Sequence, residues 1–99
     1  PYTVTVQSHN GGMEHQESGG AINIAYDLET YGFFVSAQFN SAAIQATPGV
    51  LDQDSDWTNI LLNGDARVGN MDLIRPGLAE RAVAGTYQDT LTIKIKADL

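Results

Sequence analysis

The stretch AGTYQDTLTIKIKADL, residues 84–99, decides the fold class of this chain. From its fourth residue onward, apolar or aromatic residues alternate with polar ones. The apolar set is Tyr87, Leu91, Ile93 and Ile95, and the polar set is Gln88, Thr90, Thr92, Lys94 and Lys96. Because successive side chains on a strand point to opposite faces, the pattern predicts a half-buried strand. We expect an earlier segment or another chain to cover the apolar face.

Similar alternation occurs elsewhere in the chain. It predicts a first strand over Tyr2–Ser8 and further strands over residues 21–28, 31–39 and 67–74, the last with a bulge at Gly69-Asn70. Residues 40–47 are compatible with a strand or a short helix, and the acidic residues 50–56 predict a surface loop. Asn63-Gly64 is a strong hairpin signal. Short strands separated by turns favour one all-β domain, residues 1–99, folded as an antiparallel sandwich.

The composition argues against several function classes. The formal net charge is −7, and such a surface repels phosphate backbones, so we expect no nucleic-acid partner. The chain has no cysteine, which excludes disulfides and thiolate metal sites within it. No apolar run reaches the roughly 20 residues that span a bilayer, so no membrane insertion is expected. The first residue is Pro1, which suggests a mature or trimmed chain.

An acidic triplet is the strongest candidate for a metal site. Asp52, Asp54 and Asp56 have the opening spacing of a calcium loop, in which alternate carboxylates converge on the cation. The continuation departs from that pattern, because Trp57 stands at the glycine position and Asn63 at that of the closing glutamate. The other interpretation is a solvated acidic turn.

Two aromatic residues are candidates for ligand binding. Trp57, next to the acidic triplet, is either a sugar-stacking platform or a core anchor. Phe34 falls on the polar face of the predicted strand 31–39, which indicates either an addition to such a platform or a subunit contact. His9, Glu14 and His15 match no known metal or acid–base spacing. The sequence therefore predicts no catalytic residues.

Two segments resemble the spore coat protein U family, the pilin-type domains of archaic chaperone–usher pili. Such domains commonly end in Gly-x-Tyr-x-Asp-Thr-(Leu/Val)-Thr-(Val/Ile). In this chain the pattern falls on Gly85, Tyr87, Asp89, Thr90, Leu91, Thr92 and Ile93. The segment PYTVTVQSHNGG, residues 1–12, resembles the strand and Asn-Gly-Gly turn found within these domains. Family members usually carry a preceding region with a donated strand and often a cysteine pair, and this chain starts after its expected position.

The resemblance implies an immunoglobulin-like sandwich that lacks one strand. A donor strand, first from a periplasmic chaperone and then from the neighbouring subunit, fills the groove beside the last strand. By this resemblance Leu91, Ile93 and Ile95 would line the groove, whereas in a complete sandwich they would be ordinary core residues.

The sequence thus leads to the hypothesis of a non-enzymatic subunit, structural or adhesive, of a surface fibre. By the resemblance, the fibre is a pilus secreted through the periplasm to the cell surface, and its subunits need no cofactor. The alternative is a monomeric carbohydrate- or calcium-dependent binding module. A small hydrolase using His9 or His15 is the third hypothesis.

Overall fold

The computed structural model describes residues 1–54, 68–74 and 83–97. Strands dominate these ranges, together with one short helix. The elements in chain order are β1 (Tyr2–Ser8), β2 (Met13–His15), β3 (Asn23–Ile24), β4 (Asp27–Gly32), β5 (Ala37–Asn40), α1 (Ala43–Ala46), β6 (Gly49–Asp54), β7 (Gly69–Ile74), β8 (Tyr87–Gln88) and β9 (Leu91–Ala97). The predicted hairpin at Asn63-Gly64 lies outside the described residues.

The strands form three small antiparallel sheets, which confirms the all-β prediction. Their strand orders are β6-β1-β9, β3-β2-β8 and β5-β4-β7. The first strand has the predicted bounds and is central in its sheet. Residues 40–47 were compatible with a strand or a short helix, and the structure has a short helix, α1, over part of this range.

One core joins two of the sheets. Its buried apolar side chains are Tyr2, Val4 and Val6 of β1, Leu51 of β6, Leu28 of β4, Tyr26 and Ile44. Alternate residues of β1 are buried, as its period-two pattern predicts. Buried side chains of β6-β1-β9 and of β5-β4-β7 therefore share one core, and we call the face of each sheet that carries them its inner face.

The predicted strand over residues 21–28 is broken in the structure. Between β3 and β4 the chain leaves one sheet for another at Tyr26. The backbone N–H of Tyr26 donates to the Ser41 hydroxyl at 2.9 Å, and its carbonyl accepts from the Ser41 N–H at 2.8 Å. Because both backbone groups of Tyr26 form hydrogen bonds with Ser41, Tyr26 pairs with no neighbouring strand. The prediction of one continuous strand over residues 21–28 was therefore wrong.

The predicted strand over residues 31–39 is also wrong, because a turn divides it. Residues 33–36 connect β4 to β5. The Thr30 hydroxyl donates to the Val35 carbonyl at 2.6 Å, and the Val35 N–H donates to the Leu51 carbonyl at 2.8 Å. Apolar alternation continues through this turn, so periodicity alone did not reveal it.

The acidic segment predicted as a loop contains strand β6, so that prediction was wrong for residues 50–54. This strand pairs with β1, and the register shifts between Val4 and Thr5, which leaves Leu51 as the additional, fully buried residue. Pairing with a central strand and burial of Leu51 outweigh the low strand propensity of aspartate. The bulge predicted at Gly69-Asn70 is absent, since β7 pairs with β4 without a register shift.

Candidate functional site

Among the strands that the structure describes, the last one, β9, lies at the edge of its sheet. β9 pairs antiparallel with β1 along its whole length, from Leu91 opposite Ser8 to Ala97 opposite Tyr2. Within the described residues, β1 is the only strand that pairs with β9. The predicted continuous strand from Tyr87 is in fact interrupted at Asp89 and Thr90, where β8 in another sheet ends.

The apolar face of β9 continues the core outward into solvent. Directly paired residues of antiparallel strands share a face, so Ile93 lies beside Val6 and Ile95 beside Val4. Val6 and Val4 are 0% and 5% exposed, whereas Ile93 and Ile95 are 47% and 64% exposed. Leu91, at the start of the row, is half-buried against the core. Two large apolar side chains on the inner face of an edge strand thus remain accessible.

The neighbouring sheet ends in a similar edge. In β5-β4-β7, Leu73 of β7 pairs with Leu28 of β4; Leu28 is 2% exposed and Leu73 is 48% exposed. α1 connects β5 to β6, which places those two strands at one side of the shared core. β7 and β9 are at the opposite ends of the two strand orders. We call the exposed apolar residues of these two strands, Leu73, Ile93 and Ile95, the open side.

A polar network fixes the start of β9. The carboxylate of Asp89 accepts hydrogen bonds from the Ser8 hydroxyl at 2.5 Å, from the Tyr26 hydroxyl, from the Asn10 N–H at 2.9 Å and from the Thr90 N–H at 2.8 Å. The Ser8 hydroxyl in turn accepts from the Gly11 N–H at 2.9 Å. This network joins the end of β1, the turn that follows it and the segment before β4 to Asp89, two positions before β9.

The network shifts the pKa values of two of its members. Burial acts to raise the pKa of Asp89, but the hydrogen bonds from Ser8, Tyr26, Asn10 and Thr90 outweigh it and lower the pKa below its usual value. Burial raises the pKa of Tyr26 well above its usual value, and the hydrogen bond to Asp89 and the charge of that carboxylate add to the effect. Asp89 is therefore held ionised and Tyr26 neutral.

A second cluster fixes the segment before β8. The imidazole of His15 is 4% exposed, and its Nδ1 accepts from the Ser18 N–H at 3.1 Å. Its Nε2 lies 3.0 Å from the Ala84 carbonyl, which requires that Nε2 carry the proton and donate it. Both ring nitrogens are thus bound to backbone groups, and the ring lies 5.1 Å from that of Tyr87.

Glu17 also belongs to this second cluster, and we call the contacts of His15 and Glu17 with residues 84–86 the clasp. Its two carboxylate oxygens accept from the Thr86 N–H at 2.9 and 3.1 Å, and one of them lies 3.5 Å from His15 Nε2. The hydrogen bond from the Thr86 backbone lowers the pKa of Glu17. Gly85 lies between these groups, with a φ of 149° and no space for a Cβ, which would be 2.3 Å from His15 Nε2. The clasp and the Asp89 network hold the two ends of the segment that leads into β9.

Of the three predicted calcium ligands, Asp52 is the one whose side chain the structure describes. The Tyr2 hydroxyl donates to Asp52 at 2.5 Å, and the backbone of Asp54 pairs with Tyr2 at the end of β6. Asp56 lies outside the described residues, as does Trp57. Among the residues that the structure describes, no group of three or more histidine or acidic side chains is arranged to hold a metal ion.

Phe34 lies in the turn between β4 and β5 and not on a strand face. It is half-buried against the core, its ring centre is 6.4 Å from that of Phe33, and its ring covers Gly69. The structure thus places Phe34 beside the first residue of β7, near one end of the open side.

Sequence reasoning missed the role of Asp89, although a signal was present. Asp89 has the same phase as Tyr87, Leu91 and Ile93, so a carboxylate interrupts the apolar alternation. A charged residue at an inward position needs hydrogen-bond partners, which here are Ser8 and Tyr26.

Comparisons of this chain with known protein families, with curated proteins and with solved structures found no match. The resemblance to the spore coat protein U family therefore stays a prediction. Within the described ranges, no helix is both long and apolar enough to cross a membrane.

Proposed function

We propose that this chain is a structural or adhesive subunit of a secreted surface fibre and that its subunits join by donor-strand complementation at the open side. The observation that carries the proposal is the exposure of Ile93 and Ile95 on the core-facing side of an edge strand. Natural sheet proteins usually protect such an edge with charges, a bulge or a covering segment. The lysines of β9 lie on its outer face, and the inner face keeps Ile93 and Ile95 exposed. An exposed apolar edge is a template for a strand from another chain.

Strand addition at β9 would pair backbone groups of the free edge and would bury exposed apolar side chains. Backbone N–H and C=O groups of β9 that do not face β1 would pair with the donor backbone. Alternate donor side chains would contact Ile93, Ile95 and Leu73, which are between 47% and 64% exposed in the isolated chain. Full burial of such side chains is worth about 1.5–3 kcal/mol each, so covering the exposed half contributes about 1 kcal/mol per residue.

The Asp89 network supports this role because it prepares the acceptor edge. β9 is held at its first residues by contacts to the end of β1 and to Tyr26, and these contacts do not use the apolar face. An edge that is ordered before the donor arrives loses less conformational entropy on binding. In the proposed assembly a periplasmic chaperone occupies the open side first, and the neighbouring subunit replaces it.

Hydrogen exchange tests the proposed site. A synthetic peptide of alternating Val and Thr is added to the chain, and amide exchange is followed along β9. We expect protection to increase at alternate residues of β9, because only every second residue directs its backbone groups to the free edge.

Matched variants locate the effect. Ile93→Asp with Ile95→Asp should abolish the added protection, since both carboxylates would lie on the apolar face, whereas Thr92→Asp on the outer face should retain it. Unchanged exchange in β9 with the peptide, or equal protection in both variants, would refute strand addition at this edge.

A further inference from the structure

We propose that two charged sheet faces of this chain bind each other between copies: the Lys94 and Lys96 face of one copy contacts the Glu29 and Asp72 face of the next. This contact is separate from strand addition, because it uses outer faces and leaves the open side free. It needs only two folded copies of the chain.

The basic face lies on the outer side of β6-β1-β9. Lys94 pairs with Thr5 and Lys96 with Thr3, so two ammonium groups and two hydroxyls share one surface. With Pro48 these four residues line a shallow cleft. Lys94 and Lys96 are the only lysine or arginine side chains within residues 1–54, 68–74 and 83–97. Positive charge in the described part of this acidic chain is thus concentrated on one sheet face.

The acidic face lies on the outer side of β5-β4-β7. Glu29 of β4 pairs directly with Asp72 of β7, and Asp27 is two residues before Glu29 on the same face. Asp27 accepts hydrogen bonds from Gln38 at 3.2 Å and Asn40 at 3.0 Å, which are neutral donors and leave its charge in place. None of the three carboxylates forms an ion pair with a described residue.

The Glu29–Asp72 pair indicates that this face needs a cationic partner. Like charges directly opposite each other on neighbouring strands are about 4.5–5.5 Å apart at Cβ and destabilise the sheet. The carboxylate of Asp72, with a smaller contribution from Glu29, raises the pKa of Tyr31 on the same face. An approaching ammonium group relieves this repulsion.

The two faces match in spacing as well as in sign. Lys94 and Lys96 are two residues apart on β9, and Asp27 and Glu29 are two residues apart on β4. A strand advances about 3.3 Å per residue, so charges repeat about every 7 Å on both faces. An extended row of ammonium groups can therefore meet an extended row of carboxylates in register.

The position of the faces determines the kind of assembly. The basic and acidic faces belong to two different sheets, and each lies on the side away from the shared core. A contact between different faces of identical chains is heterologous and repeats along a row of copies. The geometry thus gives head-to-tail association.

Sedimentation of the full chain at two ionic strengths tests the contact. At about 0.01 M salt the screening length is about 30 Å and at about 1 M it is about 3 Å. We expect self-association at low salt that weakens at least about tenfold at high salt, because exposed charge pairs are screened. A chain that is monomeric at both salt concentrations, or that associates equally at both, would overturn the proposal.

Charge variants make the test specific. Lys94→Gln with Lys96→Gln should abolish the salt-sensitive association. The control, Ala42→Glu with Ala43→Glu on exposed positions near α1, makes the net charge more negative by the same two units and should associate as the unchanged chain does. Equal behaviour of the two variants would show that only net charge matters and would contradict the contact.

A charge swap provides the positive test. K94E/K96E has two acidic faces and E29K/D72K has two basic faces, so each alone should remain monomeric. Mixed in equal amounts they should associate alternately, and failure of the folded variants to do so would overturn the proposal. The swapped residues lie on outer faces, so association of the two variants does not depend on whether the chain binds the Val/Thr peptide at β9.

Discussion

The hydroxyl of Ser8 donates a hydrogen bond of 2.5 Å to the carboxylate of Asp89, which ties the last residue of β1 to the residue two positions before β9. The two residues are far apart in sequence, and the contact sets the register in which Ser8 pairs with Leu91. The exposed Ile93 and Ile95 follow from that register. The acceptor edge thus depends on a polar contact as much as on apolar packing.

Replacement of Asp89 by asparagine should destabilise the chain. Asn keeps the shape but loses the charge that receives four hydrogen bonds, and bonds to charged groups contribute about 1.5–3 kcal/mol each before compensation. We expect the free energy of unfolding in urea to fall by about 2–3 kcal/mol. The matched control Asp72→Asn, at an exposed position, should change it by at most about 0.5 kcal/mol. Similar effects of the two substitutions would contradict the assigned role of Asp89.

Low pH should remove the contribution of Asp89 to the free energy of unfolding. The pKa of Asp89 is lowered in the folded chain, so this group stabilises the fold above its unfolded pKa of about 3.9. Its contribution is lost as the pH falls through the lower, folded value. The difference in unfolding free energy between the unchanged chain and Asp89→Asn should therefore shrink below about pH 4. A difference that stays constant down to the acid transition would be inconsistent with a lowered pKa.

High pH should destabilise the fold through ionisation of Tyr26. Its pKa is raised in the folded chain, so its contribution is fully present below the unfolded pKa of about 10 and is lost as the pH rises further. Chemical unfolding measured at increasing pH should show a steeper loss of stability for the unchanged chain than for Tyr26→Phe. Parallel slopes for the two proteins above about pH 10 would count against the buried Tyr26–Asp89 hydrogen bond.

Gly85→Ala should be more damaging than another glycine substitution. A Cβ at residue 85 would lie 2.3 Å from His15 Nε2 and displace the imidazole from the Ala84 carbonyl. Gly19 also has a positive φ, of 66°, but nothing lies within 4 Å of its Cβ position. Gly19→Ala should cost about 1 kcal/mol of unfolding free energy from backbone strain alone, and Gly85→Ala about 3 kcal/mol. Equal losses would mean that the clasp around His15 adds nothing to stability.

Strands with strict alternation and a central position were predictable from the sequence. The bounds of β1 agree because its pattern and its burial between two neighbours coincide. β6 was missed because its carboxylates suggest a loop, whereas pairing with β1 and burial of Leu51 decide its structure. The breaks at Tyr26 and at residues 33–36 depend on contacts with Ser41 and Leu51, which are distant in sequence.

The candidate site was predictable only in part. The apolar row Leu91, Ile93 and Ile95 follows from periodicity, but its position at an edge depends on which strands pair, and no local pattern encodes that. The partners of Asp89 and His15 come from several segments, so the sequence could indicate only that an inward carboxylate needs donors.

The most direct test of the proposed function is native mass spectrometry combined with thermal melting of the full chain, with and without the alternating Val/Thr peptide. The control peptide has the same composition with its apolar residues grouped together. We expect one bound alternating peptide per chain and a melting temperature about 10 °C higher at saturation, because a strand that binds only the folded state stabilises it. A cooperative monomer that binds neither peptide would contradict an open acceptor edge and would favour a complete domain.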